Sequence, residues 1–280
     1  MKFRNLLWVG VALTIFSSCK DDGSAVVVDD TTKKTEENTG PEPIVVQEVN
    51  MSLINKLTAT WCGPCGSWGW TLFQEIIDET HNDAVIMGTY GSSTSNYYNP
   101  AAAAFKQAQA PSAGWPAFCA NGENRTAYSS NGGIYTATTK TNVVAEVAGF
   151  KAKEVIAGAG YRDTIIDGKI QLDVKTKFFK DGDESFDYYV GAYVVEDQVV
   201  GYQNGQGSNA SHHHVLRSAM TTDVWGVKID NGKTTGSEFE HTFELPVDAT
   251  WNTENLEYAV VIWKKLGVKY VFVNAYQDKE

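Results

Sequence analysis

The stretch Trp61-Cys62-Gly63-Pro64-Cys65 decides how this 280-residue chain is read. Two thiols three positions apart can close on each other as a small disulfide ring. Met51 to Thr60, just before them, is rich in Leu, Ile and Thr and reads as a strand. Ser67 to Glu79, just after, carries Trp70, Phe73, Ile76 and Ile77 at helical spacing. Cys62 is therefore expected where a strand gives way to a helix. Free backbone N–H groups and the positive end of the helix dipole stabilise a thiolate there. A free thiol titrates near ~8.5, and such a setting brings it to about 7 or lower. Pro64 suits a first helical turn, where a missing N–H costs nothing. Cys62 is the candidate attacking thiol and Cys65 the candidate resolving thiol, with Gly63 and Pro64 between them.

Outward from this motif, residues 44–150 alternate strand and helix. Ala84 to Gly88 is a short apolar run of buried-strand type. Pro100 to Ala110 predicts an alanine-rich helix, with Asn99 as its cap and Pro100 at its first position. Pro116 to Ala120 reads as another strand. Asn121-Gly122 marks a hairpin, with Arg125 to Tyr128 as the returning strand. Gly132 to Phe150 reads as a closing helix with Val143, Val144 and Val147 on one side. This order predicts an α/β sandwich.

Over 151–280 the period changes to two. Candidate strands are Glu154 to Tyr161, Lys169 to Phe179, Phe186 to Val195, Val199 to Tyr202, Val215 to Met220, Glu238 to Leu245, Tyr258 to Trp263 and Tyr270 to Tyr276. Strands at such spacing without helices predict an all-β antiparallel sandwich. Gln203 to His214, rich in Gly, Asn and Ser, reads as a long loop.

At the start of the chain, Lys2 and Arg4 precede an apolar run from Leu6 to Phe16, and Ser17-Ser18 precede Cys19. Residues 1–18 resemble a bacterial lipoprotein signal peptide, which implies cleavage before Cys19 and lipidation of that residue. The alternative is an ordinary secretory signal beside a structural cysteine. Lys20-Asp21-Asp22 resembles the export signal of surface lipoproteins in Bacteroidota, implying an outer-membrane anchor facing the cell surface. Residues 19–43 are dominated by Asp, Thr, Lys, Glu, Gly and Pro and read as a flexible acidic tether without a core of its own. With 34 acidic against 23 basic residues and a net charge of -11, an unclustered acidic surface argues against nucleic acid as a partner. The membrane would be reached through the lipid on Cys19.

Residues 44–150 resemble a thioredoxin-like domain on two features: the Trp-Cys-Gly-Pro-Cys motif after a strand, and Gly114-Trp115-Pro116-Ala117-Phe118 followed by the Asn-Gly hairpin. The resemblance implies that Pro116 is a cis-proline facing the dithiol, and that Trp61, Trp115 and Pro116 shape a substrate groove. That family commonly places a buried acid six positions before the first cysteine; here the position is Lys56, which cannot act as a carboxylate. Lysine would either snorkel to solvent or act electrostatically on the thiol. The whole architecture resembles a family of Bacteroidota outer-membrane lipoproteins named after a protein of roughly twenty-eight kilodaltons, which joins a thioredoxin-like domain to a C-terminal β-domain. The carrying residues are His212-His213-His214-Val215-Leu216-Arg217, similar to that family's His-Asn-His-Val-Leu-Arg.

The expected function is thiol–disulfide exchange on extracytoplasmic proteins or peptides that carry cysteines, with no cofactor. The alternative is a non-catalytic binding or adhesion lipoprotein in which Cys62–Cys65 is a closed structural bridge. Zinc at Cys62 and Cys65 would need two more ligands, and no second Cys-x-x-Cys exists. The resemblance implies a structural role for the histidine run at the strand entrance, and no metal is expected; His212 and His214, which would share a face of a strand, are the residues that a metal would use. Arg217 fits either a carboxylate clamp or an internal salt bridge. Cys119, on an apolar strand, reads as a small buried hydrophobe.

Overall fold

The computed structural model describes residues 41–279. The expected signal peptide, Cys19 and the tether up to residue 40 lie outside the described residues. In chain order the elements are β1 (Ser52–Thr58), α1 (Gly63–Gly66), α2 (Trp68–Thr80), β2 (Ala84–Tyr90), α3 (Pro100–Gln109), β3 (Ala117–Ala120), β4 (Glu123–Asn124), α4 (Thr136–Lys151), β5 (Ala157–Ile166), β6 (Lys169–Phe178), β7 (Asp187–Glu196), β8 (Val199–Gln203), β9 (Gly207–His212), β10 (Val215–Ala219), β11 (Val227–Ile229), β12 (Glu238–Pro246), β13 (Leu256–Leu266) and β14 (Lys269–Tyr276).

The protein is β-rich, with few helices. Among the described residues, the largest sheet is nine-stranded and mixed, in the order β14-β13-β7-β10-β2-β1-β3-β4, with β11 also on β7. β1 and β2 are parallel, and every residue of both is buried. That is the condition under which unbroken apolar runs form strands, because both faces are covered. Ile54 and Ile86 face α2 and α4 through Phe73, Ile76 and Val143. Leu53, Val85 and Met87 face the other way, toward α3 and Phe105. A separate three-stranded sheet, β12-β6-β5, packs Leu172, Val174 and Phe178 against Val190, Val194 and Val260 of the large sheet.

The local pattern does change near residue 150. The two stretches nonetheless share one sheet and one core, and the chain from Pro43 onward forms one compact unit. Leu53 and Phe105 pack with Tyr193, Leu216, Ala259 and Trp263. The seam is narrow. Strand β10 pairs with β7 on one side and, through Val215 opposite Gly88, with β2 on the other. Gly88 N–H donates to the His214 carbonyl at 2.6 Å. A Cβ on Gly88 would come within 3.0 Å of the His213 carbonyl oxygen, so a larger residue there would have to push the two strands slightly apart.

Local structure departs from expectation at several points. The returning strand is Glu123–Asn124, not 125–128. Asn121 and Gly122 both have positive φ, so pairing starts at once with Ala120 opposite Glu123. It stops when the Asn124 side chain takes the Thr126 N–H. The stretch read as a loop over 203–214 is a hairpin of β8 and β9, a two-stranded sheet of its own. Strand β11 carries too little apolar pattern to be read in advance.

Helix α3 forms as expected. The Asn99 carboxamide oxygen accepts from Ala102 N–H at 2.9 Å, and Pro100 opens the first turn. Its amide nitrogen donates to the Leu216 carbonyl at 2.7 Å, tying the helix start to β10. Asn99→Ala is expected to cost about 2 kcal/mol, a cap loss plus an orphaned buried carbonyl, read as a lower urea midpoint with unchanged slope.

Candidate functional site

Cys62 lies between β1 and α1 with φ -78 and ψ 112 and caps the helix, its sulfur accepting from Cys65 N–H at 3.2 Å. Pro64 occupies the first turn. Cys62 and Cys65 are disulfide-bonded, with Cα atoms 5.3 Å apart. The helix is not continuous beyond them. It breaks at Ser67, whose φ -92 and ψ -108 are not helical, and resumes as α2. Cys62 is only 3% exposed and Cys65 is fully buried, against Ala59 and the half-buried Trp115.

The Trp115–Pro116 bond is cis. The Pro116 ring lies on α2, where a Cβ at Gly69 would come within 2.6 Å of it. Trp61 stands beside the bridge, 46% exposed, with its indole N–H on Ser92 Oγ at 3.1 Å. Trp115, on the bridge itself, also carries the Lys106 ammonium over its ring at 5.3 Å. Trp61, Gly63 and Pro64 adjoin the cysteines along the chain and Trp115 packs on them, while Pro116 follows Trp115 and lies against α2 at Gly69.

Lys56 does not snorkel. Its side chain is buried behind the disulfide, with Nζ 3.5 Å from the Cys65 carbonyl oxygen and about 5 Å from the Trp70 and Phe73 ring centres. Burial pulls its pKa down to about 7. His212, also buried, contacts the Trp70 and Tyr97 rings edge-on, and its Nδ1 meets the Tyr90 hydroxyl. Burial, then the Lys56 charge, lowers His212 to about 4. Cys119 is buried in the neighbouring strand, and burial pushes its thiol up to about 12, which makes it inert.

The three histidines go to three places. His213 Nδ1 meets Asp197 at 3.0 Å and His214 Nδ1 meets Glu257 at 3.0 Å, while His212 faces aromatic rings. His214 has positive φ, which breaks the strand alternation that would have aligned it with His212. Burial would raise the Asp197 carboxyl, but the His213 hydrogen bond and the His214 charge hold it at about 2. Arg217 is an internal partner: its Nε donates to Glu196 at 2.6 Å, both side chains are largely buried, and its guanidinium lies over Tyr97.

Sequence reading missed the tip of the β8–β9 hairpin. Gln203 Nε2 donates to the Cys62 carbonyl at 3.0 Å and the Ala59 carbonyl at 3.3 Å. Asn204 donates from its backbone to Thr60 at 2.8 Å and from its side chain to Trp61 at 2.9 Å. Gln206 Nε2 donates to Gly66 at 2.6 Å. The Asn204-Gly205 dipeptide is a hairpin signal that could have revealed the turn. Nothing local indicates where it docks.

Fold and site define a β-rich, mixed-sheet protein with a Cys-x-x-Cys disulfide at a strand-to-helix turn. Residues 159–276 match the family model described as outer membrane protein Omp28. The outer-membrane location expected from the sequence is that of the matched family. HBP35 of Porphyromonas gingivalis is similar in structure, with TM-score 0.62 and 16% identity over 83% of this chain and 76% of that one. A domain of the outer membrane lipoprotein Omp28 from Porphyromonas gingivalis matches with TM-score 0.32 and 18% identity, over 45% of this chain and 88% of that one. No curated protein matches the chain in sequence.

Proposed function

We propose that this is a lipid-anchored lipoprotein of the outer-membrane surface whose thioredoxin-like half, residues 44–150, exchanges disulfides with extracytoplasmic proteins. The anchor is the acylated Cys19. The observation that carries the reading is the Cys62–Cys65 bridge between the half-buried Trp115, the cis Trp115–Pro116 bond and the exposed Trp61. In the reduced state the Cys62 thiolate attacks a substrate disulfide, forming a mixed disulfide and releasing one substrate thiolate. Cys65 then attacks Cys62, re-forming the internal bridge and releasing the second substrate thiolate. Cys65→Ala, reduced and offered to disulfide-bearing proteins, is expected to accumulate mixed disulfides through Cys62. No trapped species, with no reductase or isomerase turnover by the wild type, ends this reading.

One observation favours a second reading. Both sulfurs are almost completely buried, as in a permanent structural bridge. On that reading the protein is a binding or adhesion module, and Cys62→Ser/Cys65→Ser leaves partner binding unchanged. A reduction potential below about -300 mV would support it.

A further inference from the structure

We propose that the β8–β9 hairpin is a lid over the Cys62–Cys65 bridge, held shut by polar contacts at its tip, and that lid opening controls access of an external thiol to Cys62. The use of such control rests on the exchange reading above, but the lid can be tested without it. The base of the hairpin is anchored. Val199 packs with Tyr90 and Val215, and His212 sits among Trp70, Tyr90 and Tyr97. The hairpin pairs with no strand of the large sheet. Its tip is different in kind. Asn204 to Asn209 are exposed, and Gln203, the buried residue of the tip, is held by amide hydrogen bonds rather than apolar packing.

All the donors in this contact lie on the hairpin, and the acceptors are the backbone carbonyls of Ala59, Thr60, Trp61, Cys62 and Gly66. Those carbonyls face water when the tip lifts, so opening exchanges hydrogen bonds for hydration, and the apolar surface uncovered is confined to the small cluster of Ala59, Cys62 and Cys65. Segments built this way open at low free energy while the core stays folded. The fit is close enough to require glycine on both sides. Gly205 has φ +95 and lies against Gly66, and a Cβ on Gly66 would come within 1.9 Å of the Asn204 carbonyl oxygen.

The step that the lid controls balances simply. An external dithiol supplies a thiolate that bonds to Cys62 Sγ as the Cys62–Cys65 bond breaks. Cys65 leaves as a thiolate and takes up a proton. The reductant's second thiol displaces Cys62 and leaves as a cyclic disulfide, so the bridge gains two electrons and the reductant loses two.

The test uses the oxidised, folded chain with dithiothreitol as reductant, quenched by alkylation and read by mass. Gly66→Ala, which cannot coexist with the docked tip, and Asn204→Ala/Gln206→Ala, which removes donors from exposed positions, are each expected to be reduced roughly tenfold faster than wild type. Hydrogen exchange at the Asn204 N–H is expected to quicken in parallel. Should Gly66→Ala fail to fold, the double variant carries the result alone. Wild-type reduction rates in the variants overturn the lid, whether or not the tip exchanges faster. Trapped partners with unchanged reduction rates remove the lid and leave exchange standing. Faster reduction with no trapped partner does the reverse.

Discussion

Lys56→Met is expected to stabilise the protein at about pH 6 by several kcal/mol and to lose that advantage as pH rises toward 10. The sign follows from the depressed pKa. Lys56 titrates at about 7 in the fold and at its ordinary value of 10.5 when unfolded. Between those values the unfolded chain binds the extra proton, so alkali favours the fold. Its stabilising effect is complete above 10.5 and is lost as pH falls through 7. One pH unit is worth about 1.4 kcal/mol, so the gap between wild type and variant should close by on the order of 4 kcal/mol from about pH 6 to pH 10. Methionine keeps the volume and the contacts with Trp70 and Phe73 while removing the buried amine. Urea unfolding at matched pH values measures the gap. A gap that stays constant with pH would mean that the amine is hydrated in the fold.

Glu196→Ala is expected to cost about 3–5 kcal/mol, because it leaves the Arg217 guanidinium buried without its counter-ion. The carboxylate serves two partners, Arg217 Nε at 2.6 Å and the Asn252 N–H at 2.9 Å. It also sits at the end of β7, where Val215 and Leu256 flank it on the neighbouring strands. Replacing both members by apolar residues, Glu196→Leu/Arg217→Met, should cost much less than the single truncation, since no charge is then stranded. Chemical unfolding of the two variants beside wild type separates these cases. A single truncation within about 1 kcal/mol of wild type would show that water reaches Arg217.

What was legible depended on how far apart in sequence the interacting groups lie. The placement of Cys62 at a strand-to-helix turn, the Asn99 cap and the Asn121-Gly122 turn each involve residues within a few positions, so their chemistry can be read directly. Most strands of 151–280 were also legible, because alternation reports a sheet with one face covered. Lys56 was not. A lysine on a strand gives no local indication of its surroundings, and its burial depends on Trp70, Phe73 and His212 arriving from other elements. The separation of His212 from His214 was not legible for a related reason: the positive φ of His214 falls at the crossing between β9 and β10, which no alternation rule contains.

The amino-acid sequence by itself determined the dithiol, its strand-to-helix setting, the helix caps and the change of period near residue 150, all products of backbone preference over a few residues. Tertiary structure alone decided that the two halves share a sheet through Val215 and Gly88, and that a hairpin some 140 residues downstream docks on the backbone carbonyl of Cys62. Such contacts come from burying surface and satisfying carbonyls between distant segments, and no single segment records the shape of its partner.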